Sequence, residues 1–264
     1  MSNLKKDGQL EYWKKRIHTT IDGSRVPAED SMEFFIKRMN IKKSDVVLDL
    51  GCSFGRMYRP LSRYTKTIFG IDVNSETINA ARQYPYTNLS TGIAEQTGMP
   101  DAFFDAIIAW AVYDVVEQED ALIEENRILK QGGIFLITGK NSNYSKNDET
   151  AFIAERNAKV NDYPNHFTDV YSLIENSHIF GFKVVEAYGF PRRGDWANMN
   201  YVNLLTQPNQ DFYEFLIIFE KVGIPARRIK ICHEYSDTAK NMAQENDFDD
   251  VRLFLNWHKK QFND

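Results

Sequence analysis

Residues 45–72 constrain the fold of this chain more than any other segment. The apolar run Val46–Leu50 ends at Gly51 and Gly55, and a second apolar run, 68–71, ends at Asp72. This order is typical of a strand, a tight turn, the start of a helix and a second strand. The glycines let the backbone bend and approach a ligand, and the acid can accept hydrogen bonds from both hydroxyls of a ribose. The segment predicts a nucleoside-containing cofactor beyond the carboxyl ends of a parallel sheet.

The glycine turn does not fit the common phosphate-binding patterns. Residues 51–55 read GCSFG, which lacks the third glycine of a dinucleotide turn and the Gly-Lys-Ser or Gly-Lys-Thr ending of a P-loop. Asp49 lies at the end of the first strand, where a negative charge suits an ammonium group and repels a phosphate. The turn therefore argues against a dinucleotide or a nucleoside triphosphate.

Five segments in order resemble the motifs of the class I S-adenosylmethionine-dependent methyltransferases. They cover roughly residues 28–221 and read VVLDLGCSFG, IFGIDVNSETINAAR, GIAEQTGMPDAFFDAIIAW, ALIEENRILKQGGIFLIT and HFTDVYSLIENSHIFGFKVVEAYGF. Ser53 replaces the usual middle glycine of the first motif, and Gln131 replaces the usual proline before the glycine pair. The resemblance implies S-adenosylmethionine as the cofactor, S-adenosylhomocysteine as its product, and a methyltransferase activity.

Alternation of strand-like and helix-like segments predicts an α/β fold with a parallel sheet covered on both faces. We predict strands at Val46–Leu50, 68–71, 88–92, Phe104–Ala109, 134–138, 183–188 and 212–220, and helices at 75–84 and 118–129. Ser75 is the predicted N-cap of the first of these helices, and Gly132-Gly133 suits a helix end followed by a turn. The resemblance implies a Rossmann-like sheet of seven strands, with the last strand antiparallel and inserted between the fifth and the sixth.

The chain is expected to form a single methyltransferase domain over residues 1–264. Residues 1–40 are predicted to be a helical cap, with Leu10, Tyr12, Trp13 and Ile17 on one face of a first helix and Pro27 opening a second. Residues 41–221 would be the cofactor-binding core, with an acceptor-side insert at 139–167. Residues 222–264 would be a C-terminal extension, whose amphipathic segment Val251–Phe262 is compatible with packing on its own domain or in a homodimer.

Composition narrows the classes of partner. The net charge of −5 argues against a general nucleic-acid surface. Two isolated cysteines among 264 residues do not form the pattern of a zinc cluster or a disulfide framework. No apolar run resembles a signal peptide or is long enough to cross a membrane. We therefore expect a cytoplasmic enzyme with a small-molecule acceptor and without nucleic-acid or membrane partners.

The resemblance implies which residues contact the cofactor. Asp72 takes the ribose position, Val73 packs on the adenine, and Ala94 and Glu95 lie in the adenine-contacting loop. Three assignments have plain structural alternatives: Asp72 as a helix cap, Glu95 as a surface charge and Trp110 as core packing. The full expected set is Asp49, Gly51, Cys52, Gly55, Asp72, Val73, Ala94, Glu95 and Trp110.

Methyl transfer from a sulfonium requires mainly positioning and a dry pocket, and a hydroxyl acceptor also needs a base. The expected catalytic residues are His166, Tyr113 and Asp114. Arg192-Arg193 suits a phosphate or carboxylate, although a solvated turn is the alternative. The expected acceptor-binding residues are Tyr113, Asn141, Tyr144, Arg192, Arg193 and Trp196.

These residues suggest metal-free, in-line methylation of an O or N atom on a small polar metabolite, such as a sugar, a nucleotide-sugar or another phosphorylated intermediate. Two other functions remain open from the sequence. One is a methyltransferase-like protein that binds the cofactor without turnover. The other is a nicotinamide-dependent oxidoreductase, which the missing third glycine disfavours.

Overall fold

The computed structural model describes residues 29–262, so the predicted helix around Leu10–Ile17 and the helix start at Pro27 lie outside the described residues. Eight strands form the main sheet. They are β1 (Val46–Leu50), β2 (Thr67–Asp72), β3 (Asn88–Thr91), β4 (Phe104–Ala109), β5 (Leu129–Lys140), β7 (Phe182–Phe190), β8 (Val202–Asn203) and β9 (Glu214–Lys221), and a separate two-stranded sheet pairs β6 (Phe167–Thr168) with β10 (Cys232–His233).

The main sheet has the order β3-β2-β1-β4-β5-β9-β7-β8, and its first five strands are parallel. Strand β9 lies between β5 and β7 and is antiparallel to both, which confirms the inserted antiparallel strand. The eighth strand, β8, pairs with the edge of β7. It is only two residues long, too short to give a periodic signal in the sequence.

Both faces of the central strands are buried, as the unbroken apolar runs predict for a parallel sheet. Val47 and Leu48 are adjacent in β1 and are both 0% exposed, yet they belong to two different hydrophobic cores. This separation arises because successive side chains of a strand point to opposite faces. The sheet is therefore the middle layer between two cores.

Eight α-helices accompany the strands within residues 29–262. They are α1 (Glu29–Arg38), α2 (Tyr58–Leu61), α3 (Ser75–Ala81), α4 (Gln118–Ile128), α5 (Glu149–Val160), α6 (Val170–Asn176), α7 (Asp237–Glu245) and α8 (Val251–Phe262). None of them is long and apolar enough to span a membrane.

Two local predictions at helix ends were wrong. The N-cap of α3 is Asn74 and not Ser75, because the Asn74 side chain accepts the backbone N–H of Glu76 at 2.9 Å. Helix α4 ends at Ile128, and the Gly132-Gly133 pair lies inside β5. Gly132 still has a left-handed φ of +73°, so the local backbone is irregular where a turn was expected.

The C-terminal helices pack on their own chain through a third core. Phe254 and Leu255 of α8 are buried, and the Phe254 ring lies 5.9 Å from that of Phe152 on α5. Of the two arrangements that the amphipathic pattern left open, the structure shows packing against α5 and α7. The division into cap, core, insert and extension stays a prediction.

Candidate active site

A cavity of about 550 Å³ lies beyond the carboxyl ends of β1, β2 and β4. This volume falls in the range of about 300–1,000 Å³ that is typical of small-molecule sites. The floor includes Gly51, Asp72 and Ala111, and the roof consists of α5 residues and the loop that follows α5. The roof residues are Ala154, Asn157, Ala158, Tyr163, Pro164 and Asn165.

The glycine turn shapes the cavity floor. Gly51 has a φ of +69°, and its N–H donates to the Ile71 carbonyl at 2.8 Å, which ties the turn to β2. A Cβ on Gly51 would lie 2.4 Å from Val112 Cγ2, so only glycine fits there. Ser53, in the place of the usual glycine, also has a left-handed φ, of +50°. The turn thus keeps the glycine-type backbone at this position and carries the associated strain.

Asp72 projects from the end of β2 into the cavity and organises the turn around it. Its Oδ2 accepts the Ser53 N–H at 2.9 Å, and its Oδ1 accepts the Asn74 N–H at 2.9 Å. The Thr77 hydroxyl lies 2.9 Å from Asp72 Oδ1 and 2.7 Å from the Asn74 carbonyl oxygen. A hydroxyl has one proton. When Thr77 donates it to Asn74, the carboxylate keeps two of its roughly four acceptor positions for a ligand.

Three of the expected cofactor residues lie beneath this floor and outside the cavity lining. Asp49 is 1% exposed and accepts the Tyr86 hydroxyl at 2.6 Å. Burial raises the pKa of the Asp49 carboxyl to about 7, while the Tyr86 hydrogen bond and the charge of Arg56 oppose the rise. Cys52 is 0% exposed, and Gly55 packs against the Tyr84 ring.

The adenine-side residues line the same cavity as Asp72. Val73, Ala94 and Glu95 all contribute to the wall. Glu95 Oε1 accepts the backbone N–H of Glu117 at 2.9 Å, so this carboxylate is held by the loop before α4 and is not a free surface charge.

An ion pair lies at the end of the cavity opposite the glycine turn and Asp72. Lys140 at the end of β5 donates to Asp114 Oδ2 at 2.7 Å and to Asn165 Oδ1 at 2.6 Å. Burial alone would disfavour the charged form of both side chains. The opposite charge of the partner outweighs this effect for each of them. The pKa of Asp114 is lowered and the pKa of Lys140 is raised. Arg193 and Glu214 line the same end. Burial raises the pKa of Glu214, against the opposing effect of the N–H bond from Gly194.

A smaller recess of about 70 Å³ opens beside this ion pair. Trp110 and Trp196 form part of its wall, with ring centroids 5.4 Å apart in an edge-to-face arrangement. The recess shares Ala111, Asp114, Lys140 and Glu214 with the main cavity. Both tryptophans of the expected site therefore lie at the Asp114–Lys140 end.

The remaining expected residues lie outside the linings of both cavities. Tyr113 is 0% exposed and donates to Glu125 Oε2 at 2.7 Å, while Tyr144 is buried and donates to Glu155 Oε2 at 2.5 Å. His166 Nδ1 lies 2.8 Å from the Val116 carbonyl oxygen, and the His166 backbone N–H donates to the Asp114 carbonyl. The other two are Asn141, which is buried, and Arg192, which is exposed.

Sequence reasoning missed several polar residues of the lining, among them Arg56, Lys140, Asn165 and Glu214. Arg56 follows the glycine turn and Lys140 follows the predicted strand 134–138, so both lie beyond strand ends, where ligands bind in a parallel sheet. Glu214 begins β9, and Asn165 precedes β6; their proximity depends on tertiary packing. Within the described part of the chain, no group of three or more His, Cys, Asp or Glu side chains could hold a metal ion.

Comparisons with known proteins agree with this geometry. Residues 48–137 match the family described as a methyltransferase domain. Among curated relatives, a ubiquinone/menaquinone biosynthesis C-methyltransferase of Caulobacter sp. (strain K31) is 30% identical over 114 residues, 38% of this chain and 45% of that protein. A ubiquinone biosynthesis O-methyltransferase of Pelagibacter ubique is 28% identical over 120 residues, 41% of this chain and 50% of that protein.

The chain thus spans about half the length of these curated relatives. Among solved structures, a methyltransferase of Thermotoga maritima is 19% identical, with a TM-score of 0.57 over 80% of this chain and 94% of that chain. At this identity the structural match shows the fold alone. The family match shows a methyltransferase domain at residues 48–137, and the motif order, the sheet and the placement of Asp72 agree with a class I S-adenosylmethionine-dependent methyltransferase.

Proposed function

We propose that this protein transfers a methyl group from S-adenosylmethionine to a small-molecule acceptor held in the 550 Å³ cavity. The observation that carries the proposal is the continuity of that cavity. One end is formed by the glycine turn and Asp72, and the other by the Asp114–Lys140 ion pair. A cofactor at the first end would present its reactive group toward a polar compartment that is covered by α5.

The side chains at the first end fit S-adenosylmethionine. Asp72 has acceptor positions left for the two ribose hydroxyls once Thr77 donates to Asn74. Val73, Ala94 and Glu95 would surround the adenine.

Arg56 is the residue we assign to the methionine end. Its Nη2 donates to the Trp110 carbonyl at 2.7 Å, and its Nε is buried without a hydrogen-bond partner. An unpartnered buried donor is costly, and a carboxylate would satisfy it. The Arg56 guanidinium would therefore bind the cofactor's carboxylate.

Beneath the turn, Asp49 would act by charge and not by contact. Its carboxyl is covered, so it cannot touch a ligand in this arrangement. A positive ligand charge above it would still favour the ionised form.

When bound, S-adenosylmethionine supplies an activated methyl group on a sulfonium, so the protein's part is to position the acceptor and exclude water. The roof over the cavity provides the exclusion. Lys140, Arg193 and Trp196 would position the acceptor, and Glu214 or Asp114 would take a proton where the acceptor is a hydroxyl. Of these two, Glu214 is the better base because burial raises its pKa, whereas Lys140 lowers that of Asp114.

The proposal also concerns the chemical class of the acceptor and the atom that is methylated. The cationic side chains Lys140 and Arg193 support a polar, acidic acceptor, as the sequence led us to expect. The names of the curated relatives add carbon and oxygen atoms of ubiquinone precursors as candidates. Metal-free displacement, the cytoplasmic location, the lack of nucleic-acid and membrane partners and the homodimer stay predictions.

Calorimetric titration of S-adenosylmethionine and S-adenosylhomocysteine tests the cofactor assignment. Asp72→Ala removes the charged hydrogen-bond acceptor and should weaken both ligands by about tenfold to over a hundredfold. Asp249→Ala, which removes an exposed carboxylate outside the cavity lining, is the matched control. Equal affinities in Asp72→Ala and the control, with both variants folded by circular dichroism, would contradict the assignment.

Turnover is tested separately with cofactor labelled on its methyl group. The wild-type protein should transfer the label into a small-molecule extract, and Asp72→Ala should do so much more slowly. Tight cofactor binding without any labelled product would instead favour the binding protein without turnover that the sequence left open.

A further inference from the structure

The recess beside the ion pair has a wall rich in aromatic rings. Phe190 and Phe215 are 1% and 0% exposed, and together with Trp110 and Trp196 they supply its rings. Aromatic rings pack most favourably against other rings in stacked or edge-to-face arrangements. A wall of four rings around so small a space favours a planar group over a puckered, hydroxyl-covered sugar ring.

The mouth of the recess offers unused cationic donors. Lys140 has three N–H donors and uses two, on Asp114 and Asn165. Within residues 29–262 the Arg193 guanidinium makes no hydrogen bond or ion pair, although it lies close enough to Glu214 and Tyr213 for their charges to interact. Donors of this kind bind carboxylate or phosphate groups.

The charge balance at this end also favours an anion. Asp114 compensates Lys140 in their ion pair, and Glu214 lies near enough to Arg193 for their charges to interact. A bound S-adenosylmethionine adds its sulfonium, its ammonium and its carboxylate, which sum to one positive charge. An acceptor with an acidic group would offset this excess, whereas a neutral one would leave it uncompensated.

We infer that the methyl acceptor is a planar ring that carries a carboxylate or phosphate group. The ring enters the recess between Trp110, Trp196 and Phe190, and the acidic group binds Lys140 and Arg193. This inference rests on the proposed function and narrows the polar metabolites named above to ring acids.

Binding probes test this inference with the full chain saturated with S-adenosylhomocysteine, whose own affinity is measured first. The ring acids are 4-hydroxybenzoate and phenyl phosphate. 4-Hydroxybenzyl alcohol keeps the ring without the anion, cyclohexanecarboxylate keeps the anion without the planar ring, and glucose 6-phosphate represents sugar phosphates. We expect at least one of the two ring acids to bind at least about tenfold more tightly than each of the three comparison compounds. Whichever ring acid binds more tightly shows whether the acidic group is a carboxylate or a phosphate.

Two variants separate the two halves of the inference. Arg193→Gln should remove most of the preference for the ring acid over 4-hydroxybenzyl alcohol, and Trp196→Leu should remove most of the preference over cyclohexanecarboxylate. Arg227→Gln, at an exposed arginine outside both cavity linings, should change neither.

Equal or tighter binding of glucose 6-phosphate or cyclohexanecarboxylate would overturn the ring-acid acceptor and leave the cofactor assignment standing, as would unchanged preferences in both variants. No binding of S-adenosylhomocysteine to folded protein would overturn the proposed function and, with it, the inference.

Discussion

The buried carboxyl of Asp49 should make the stability of this protein depend on pH in an unusual direction. Asp49 is 1% exposed, and burial raises its pKa from 3.8 to about 7 despite the hydrogen bond from Tyr86 and the nearby charge of Arg56. The folded state therefore holds this proton more tightly than the unfolded chain does. Stability from this group is greatest at low pH and is lost as the pH rises from about 4 through 7.

The magnitude follows from the displacement of the Asp49 pKa. Each pKa unit is worth about 1.4 kcal/mol. Moving the pKa from 3.8 to about 7 therefore costs about 4 kcal/mol over the whole titration. Between pH 5 and pH 8 the loss is about 3 kcal/mol, because the unfolded carboxyl has already ionised while the folded one is still titrating.

Urea unfolding at pH 5, 6, 7 and 8 measures this effect. Asp49→Asn cannot ionise, so the difference between the wild-type and Asp49→Asn unfolding free energies should change by about 2–3 kcal/mol across the series. Other buried acids contribute equally to both proteins and cancel. Tyr86→Phe removes the hydrogen bond that favours the ionised form and should move the titration to higher pH.

The outcome that refutes the reasoning is a wild-type minus Asp49→Asn difference that stays constant from pH 5 to pH 8. An increase of wild-type stability relative to the variant with rising pH would refute it as well. That sign would mean that the Asp49 carboxylate is stabilised in the folded protein and not destabilised by burial.

Three further predictions concern the turn and the C-terminal extension. Ser53→Gly should raise the unfolding free energy by up to about 1 kcal/mol in thermal melts, since glycine adopts the φ of +50° without strain, and Ser53→Val should lower it. Gly51→Ala should lower the unfolding free energy by about 1–3 kcal/mol, because the added Cβ would clash with Val112. The double variant Gly51→Ala with Val112→Ala should recover part of this loss. Glu119→Ala should lower the unfolding free energy by about 2–5 kcal/mol in urea unfolding, because it leaves two buried N–H groups, including that of Cys232, without an acceptor. Glu119→Gln keeps a side-chain oxygen that can still accept both.

The parallel sheet and the cofactor end of the cavity were predicted from local sequence, whereas the inserted antiparallel strand was implied by the family resemblance. Apolar runs with glycine or acidic residues at their ends define strands and the turns after them, and such signals depend on neighbours in the chain. Asp72 and Gly51 were predictable in this way, because both stand where a parallel strand ends. The same rule would have found Lys140 at the end of β5.

Errors in the local assignments arose where two neighbours compete for one role. Asn74 and Ser75 are both good N-caps, and only the backbone path decided that the Asn74 side chain reaches the Glu76 N–H. The glycine pair after α4 looked like a helix end. It lies instead within β5, between Leu129 and Ile134, which pair with Phe104 and Ala106 of β4, and the register shifts between these two pairs.

Residue type and strand position by themselves predicted an α/β domain with a nucleoside site beyond the strand ends, and the motif resemblance added the methyltransferase family. The acceptor end was decided only by tertiary structure. Tyr113 and Asp114 are adjacent, yet Tyr113 is buried against Glu125 while Asp114 faces the cavity beside Lys140. The left-handed φ of +57° at Ala111 interrupts the extended backbone before them. No property of a single residue encodes which way its side chain then points, because that direction depends on the path of the backbone and on partners distant in the sequence.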